Sequence, residues 1–106
     1  MEFQSAAPWE GRIGYCRALR AGGHIFVTGT APMAAGGGVE SPGDAYHQAK
    51  RCFQIIEEAL AQLGASRADV TRTRMFVTDI SRWEEYGRAH AETFGAHPPT
   101  TTFVEV

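Results

Sequence analysis

From residue 44 onward, apolar side chains return at three- and four-residue steps: Ala45, Ala49, Cys52, Phe53, Ile56, Ala59, Leu60 and Leu63. That recurrence matches the helical turn and lays one apolar face along a long helix. Asp44, just after Pro42-Gly43, is placed to cap its first turn, and Gly64 to end it in the left-handed region. Lys50, Arg51, Glu57 and Glu58 fall off the stripe and predict a solvated face. Before this helix, residues 15–19 and 24–28 are short apolar-rich runs around Ala21-Gly22-Gly23, the pattern of an antiparallel hairpin. After it, residues 70–78 alternate, with Thr71, Thr73, Met75 and Val77 on one face and Arg72, Arg74, Phe76 and Thr78 on the other. Ser81-Arg82-Trp83-Glu84 has the spacing of a capping box and opens a second helix. It runs to about Phe94, with Gly95 as its stop and Trp83, Tyr86, His90 and Phe94 on one side. Pro98-Pro99 then preset an extended approach to a last β-branched run, residues 100–106.

The predicted order is β-β-α-β-α-β, an α+β domain with a mixed sheet. Helical crossovers favour parallel neighbours in part of the sheet, the opening hairpin is antiparallel, and both helices pack on one face. The other face is then bare, and its apolar strand residues predict burial against further subunits. Residues 33–43 are too rich in glycine to carry a core and are expected to border a pocket.

Composition narrows the classes. A chain of 106 residues allows one domain, residues 1–106, with one modest core. Ten basic against twelve acidic side chains leave a net charge of −2, which argues against a broad grip on nucleic acid. No apolar run approaches the ~20 residues that span a bilayer. Residues 1–10 lack the grading of an export signal, so the expectation is a cytoplasmic protein with no membrane partner. Cys16 and Cys52 are far apart and are expected to be reduced, and His24, His47, His90 and His97 fall on different elements. Neither set has the spacing of a metal site.

Four segments carry a further signal: Gly14-Tyr15-Cys16-Arg17-Ala18, Ile25-Phe26-Val27-Thr28-Gly29-Thr30-Ala31, Arg72-Thr73-Arg74-Met75-Phe76-Val77-Thr78-Asp79-Ile80, and the run from Pro99 to Val106. In this order and spacing they resemble the Rid family, also called the YjgF or endoribonuclease L-PSP family. The resemblance implies a fold similar to bacterial trimeric chorismate mutase, assembled as a homotrimer with clefts between subunits. It also implies a deaminase chemistry without cofactor or metal, in which water adds to a reactive imine and ammonia leaves. The family's last C-terminal strand, which carries an acidic residue, has no counterpart after Val106.

In active deaminases of the family an arginine on the strand after the proline turn clamps the substrate carboxylate. Here that place falls on Thr101, which brings a hydroxyl and no charge. The resemblance makes Tyr15, Thr28 and Gly29 pocket-lining candidates. Arg74, with Arg72, is a candidate replacement cation, on the condition that its strand face borders the cleft. Glu105, His97 and Cys16 have the chemistry of an acid, a base and a nucleophile, but each reads more readily as an ordinary strand, loop or core residue, and no catalytic residue is assigned. The functional expectation is a protein that binds small metabolites in intersubunit clefts and hydrolyses reactive imines or enamines. Its alternatives are a non-catalytic binding or interaction protein of the same fold and, more weakly, an endoribonuclease.

Overall fold

The computed structural model describes residues 1–5 and 7–106. Its elements are β1 (Glu2–Phe3), α1 (Pro8–Ile13), β2 (Ala18–Ala21), β3 (His24–Val27), α2 (Ala45–Gln62), β4 (Arg72–Val77), α3 (Trp83–Phe94) and β5 (Thr100–Glu105). Short 3-10 turns at Arg67–Asp69 and Ile80–Arg82 precede β4 and α3. The α+β class and both long helices follow the sequence pattern. β1 and α1 do not, because a two-residue strand shows no alternation and a one-and-a-half-turn helix shows no period. Pro8 starts α1 where its missing N–H is no loss, and the buried Glu10 carboxylate ties the helix back to the Ser5 amide at 2.9 Å.

The hairpin forms as expected. β2 and β3 are antiparallel, with Leu19 opposite Phe26 and Ala21 opposite His24, and Gly22 takes φ 60° at the turn. β1 adds to the β2 side. β4 and β5 pair in parallel, in the register Thr73–Thr101, Met75–Phe103 and Val77–Glu105. The antiparallel and parallel parts, expected in one mixed sheet, are bonded as two sheets, β1-β2-β3 and β4-β5. Among the described residues no ladder joins β3 to β4.

α2 holds the two sheets together. Asp44 caps it by accepting from the His47 amide at 3.0 Å, and the carbonyl of Leu63 at its end accepts from Arg20 Nε of β2 at 3.1 Å. Gly64 follows at φ 81°, a conformation that a side chain would strain. The C-terminal half of α2 packs Ala59 and Leu63 on Ala18, Ile25 and Val27 of the first sheet. Its N-terminal half packs Ala49 and Phe53 on α3 and Met75, and Ala45 on Val77 and Tyr86. Both long helices therefore cover one side of the molecule, as the pattern predicts.

Two helix ends differ from expectation. Ser81 does not cap α3; Asp79 accepts from the Ser81 amide at 3.0 Å and opens a 3-10 turn that runs into the helix. The Ser81 hydroxyl donates to the same Asp79 carboxylate, and Arg82 stands at the start of α3 without a side-chain cap. Gly95 does follow the last residue of α3, as expected, but not in a left-handed conformation: its φ is −60°, and the chain continues the turn until the His97 amide bonds the Phe94 carbonyl at 3.0 Å.

Opposite the helices the strands are open. Ile25, Val27, Met75 and Phe103 pack inward, so alternation turns Leu19 and Phe26 of the first sheet and Phe76 and Val104 of the second outward. Phe26 and Phe76 are 60% and 66% exposed.

Candidate functional site

The sequence candidates fall into two groups, one on each sheet. Tyr15, Thr28 and Gly29 lie together where β2 begins and β3 ends. Tyr15 and Thr28 line an open concavity of about 270 Å³, with Cys16, Ala18, Leu19, Phe26 and Val27 as its other walls. Thr28 Oγ1 donates to the Cys16 carbonyl at 2.7 Å, so its proton is committed to bracing the hairpin while its lone pairs stay free. Gly29 is exposed, and its carbonyl accepts from Arg17 NH2 at 3.2 Å.

Arg17 escaped the sequence reading. Its side chain is 9% exposed, its NH1 reaches Thr30 Oγ1 at 3.3 Å, and its guanidinium lies 5.9 Å from the centre of the Tyr15 ring. Its Nε has no hydrogen-bond partner, and no carboxylate among the described residues lies within ion-pair distance. A desolvated cation held this way fixes the turn after β3, because its donors are matched to the oxygens of residues 29 and 30. The signal was an arginine among Tyr15, Cys16, Ala18 and Leu19, the apolar run that leads into β2.

The second group sits on β4 and β5. Thr101 is exposed at the start of β5 and accepts a hydrogen bond from Thr73 Oγ1 at 2.7 Å. Thr73 Oγ1 in turn lies 2.8 Å from His90 Nε2 of α3. His90 is half-buried among the rings of Phe53, Phe94 and Phe103, with centroids at 5.8, 4.8 and 5.9 Å. Desolvation there pushes its pKa below the ordinary histidine value, so the imidazole is neutral at physiological pH. Thr101 and Arg74 do not meet: Arg74 is paired with Thr102 and lies on the open face, while Thr101 shares the helix-side face with Thr73.

The remaining candidates have structural partners. Glu105 accepts from the Ile80 amide at 3.0 Å, which ties the end of β5 to the turn before α3. His97 is an exposed loop residue. Cys16 and Cys52 are both free, and burial pushes the Cys52 thiol up to about 11, where a thiolate is scarce. A second depression, about 370 Å³, runs along the outer face of α2 beside Glu40 and Ser41 of the glycine-rich segment. Its cations are already matched, with Lys50, Arg51 and Arg67 within 3.6, 3.9 and 3.5 Å of Glu92, Glu40 and Glu57.

The geometry defines an α+β domain with a bare sheet face and two groups of candidate residues on separate sheets, and among the described residues no helix is long and apolar enough to cross a membrane. A sequence model of the endoribonuclease L-PSP family matches residues 5–106. The chain is 37% identical over 103 residues to protein SCO2049 of Streptomyces coelicolor, covering 97% of this chain and 76% of that one. It is 32% identical over 92 residues to the RutC family protein PYRAB12510 of Pyrococcus abyssi, covering 87% and 72%. Among solved structures, Rv2704 of Mycobacterium tuberculosis, a member of the YjgF/YER057c/UK114 family, superposes with a TM-score of 0.88 at 42% identity, over 100% of this chain and 83% of that one. The chain belongs to the endoribonuclease L-PSP family, the Rid or YjgF family of the sequence resemblance, and its fold is consistent with the chorismate mutase-like type.

Proposed function

We propose that the protein assembles as a homotrimer through its open sheet faces, binds a small metabolite in each seam, and hydrolyses reactive imines there. The observation that carries this reading is the division of the candidate residues. Tyr15, Thr28 and Gly29 belong to one sheet and Thr101 to the other, while each sheet exposes an apolar pair, Leu19 with Phe26 and Phe76 with Val104. A seam between copies covers those pairs and, where it reaches the exposed start of β5, sets one subunit's first half-site beside Thr101 of the next, although Thr101 itself lies on the helix-side face of its sheet.

The chemistry asks little of the residues. Water adds to the electrophilic carbon of a C=N bond and gives one proton to nitrogen; the hydroxyl proton of the resulting aminol then passes to nitrogen as the C–N bond breaks, and a carbonyl compound and ammonia leave. Orientation of the imine and of one water supplies most of the acceleration, without cofactor or metal. Tyr15 forms a wall of the seam, Thr28 and Gly29 offer acceptor and backbone groups, and Thr101 meets the polar group attached to the reacting carbon.

The test generates imines in place, by oxidising amino acids with an amino-acid oxidase, and follows ammonia release against buffer alone. Acceleration by the wild type is expected, and Thr101→Arg should raise the rate further, because each of these imines carries a carboxylate. Buffer-level rates for both proteins would remove the catalytic reading and leave a binding protein. A solution mass of one chain at working concentration would remove the seam itself.

A further inference from the structure

We propose that Thr101, Thr73 and His90 form a switchable hydrogen-bond chain that makes the second half-site a receptor for an uncharged polar group, such as an amide or a ketone, rather than a carboxylate. The inference rests on the proposed seam at Thr101 and deepens it by naming the class of group taken there.

Each threonine hydroxyl carries one proton, and a neutral imidazole carries one on either ring nitrogen. With the proton on His90 Nε2, the ring donates to Thr73, Thr73 donates to Thr101, and the Thr101 proton is free to donate outward. With the proton on Nδ1, Nε2 accepts from Thr73 and Thr73 accepts from Thr101, so Thr101 offers only lone pairs outward. The separations of 2.8 and 2.7 Å bring all three groups into bonding range, and Thr101 is the exposed end. The chain therefore presents either a donor or an acceptor to whatever docks on Thr101, at the cost of a tautomer change in a neutral ring.

Charge decides the ligand class. The ring is enclosed by Phe53 from α2, Phe94 from its own helix, Phe103 from β5 and Thr73 from β4. Burial is the cause of its lowered pKa, and no ion pair joins it among the described residues. Arg74, the nearby cation on the same strand as Thr73, faces the opposite side of the sheet. A carboxylate docking on Thr101 would lose hydration without meeting a positive charge, whereas an amide or carbonyl loses far less and finds a partner of either polarity. His90 and Thr73 act through Thr101 and are positioning residues.

The experiment compares pyruvamide and pyruvate as probes of the full chain, with ring nitrogen shifts of 15N-labelled histidine reporting the His90 tautomer. Pyruvamide is expected to bind about fivefold more tightly than pyruvate, the worth of one neutral hydrogen bond, and to move the His90 Nε2 and Nδ1 shifts in opposite directions. Thr73→Val, which keeps the volume but cuts the chain, should abolish that movement and weaken pyruvamide to the level of pyruvate. Equal or tighter binding of pyruvate, absence of pyruvamide binding, or pyruvamide binding that leaves the His90 nitrogens unmoved would each overturn the inference. Failure of imine hydrolysis with an intact pyruvamide response would remove the proposed activity alone. Imine hydrolysis with unmoved His90 nitrogens would remove the hydrogen-bond chain alone.

Discussion

At the scale of single residues, the environment of His90 fixes a pH dependence as well as a hydrogen-bond chain. Burial among phenylalanine rings disfavours the imidazolium, so the folded pKa lies below the unfolded value, which is near 6.5. Between the two values the unfolded chain holds more protons than the folded one, and stability therefore rises with pH. The contribution is complete above the unfolded pKa and is lost as pH falls through it toward the folded pKa. Thermal unfolding from pH 8 to pH 5 should show a falling Tm, and His90→Gln should flatten that slope, since glutamine does not titrate. Parallel slopes for the two proteins would mean that the remaining histidines carry the effect. Arg17 teaches the complementary lesson: a buried cation lacking a carboxylate is held by matched oxygens, and its donors shape the turn that Thr28 and Gly29 occupy.

At the scale of elements, α2 is the hinge of the architecture, because its two halves pack on different sheets. Phe53 is its most consequential side chain, 5% exposed and wedged against Phe94 and Met75. Phe53→Ala should cost about 3–5 kcal/mol, from lost transfer energy plus the cavity left between α2 and α3. Urea unfolding at one fixed protein concentration measures it, and a midpoint near the wild-type value would show that α3 can collapse onto α2. The sequence made α2 legible because eighteen residues repeat one apolar period, and it made β4 legible because six residues alternate. It hid β1 and α1, which are too short to display either period. It misassigned the cap of α3, because Asp79 opens a 3-10 turn two residues earlier and binds Ser81 itself, which the local spacing does not show. Tyr15, Thr28 and Gly29 were legible as candidates through short segments that keep their neighbours. The Thr101–Thr73–His90 chain was not, since it depends on the parallel register of β4 with β5 and on how α3 lies across them, neither of which is written locally.

At the scale of the whole molecule, the unanswered demand is the bare side of both sheets. Leu19 faces Phe26 across one ladder and Phe76 faces Val104 across the other, so each sheet presents a cross-strand apolar pair to the same side. Open strands of this composition invite pairing and burial. In the proposed ring of three copies both sheets would be covered at once, and each proposed site would be completed from two chains. Phe76 discriminates between a seam and a free surface. In a single chain it is 66% exposed, so an aspartate there would meet water and cost the fold little. In a seam the same carboxylate would be desolvated opposite apolar side chains with no partner, which is far more costly. Phe76→Asp is therefore expected to leave the helical circular dichroism signal unchanged while light-scattering mass falls from three chains to one. Imine hydrolysis should be lost with it, although Phe76 touches neither half-site. A mass that stays at three chains would move the seam away from this face, and a wild-type mass of one chain would leave the apolar pairs without their proposed cover.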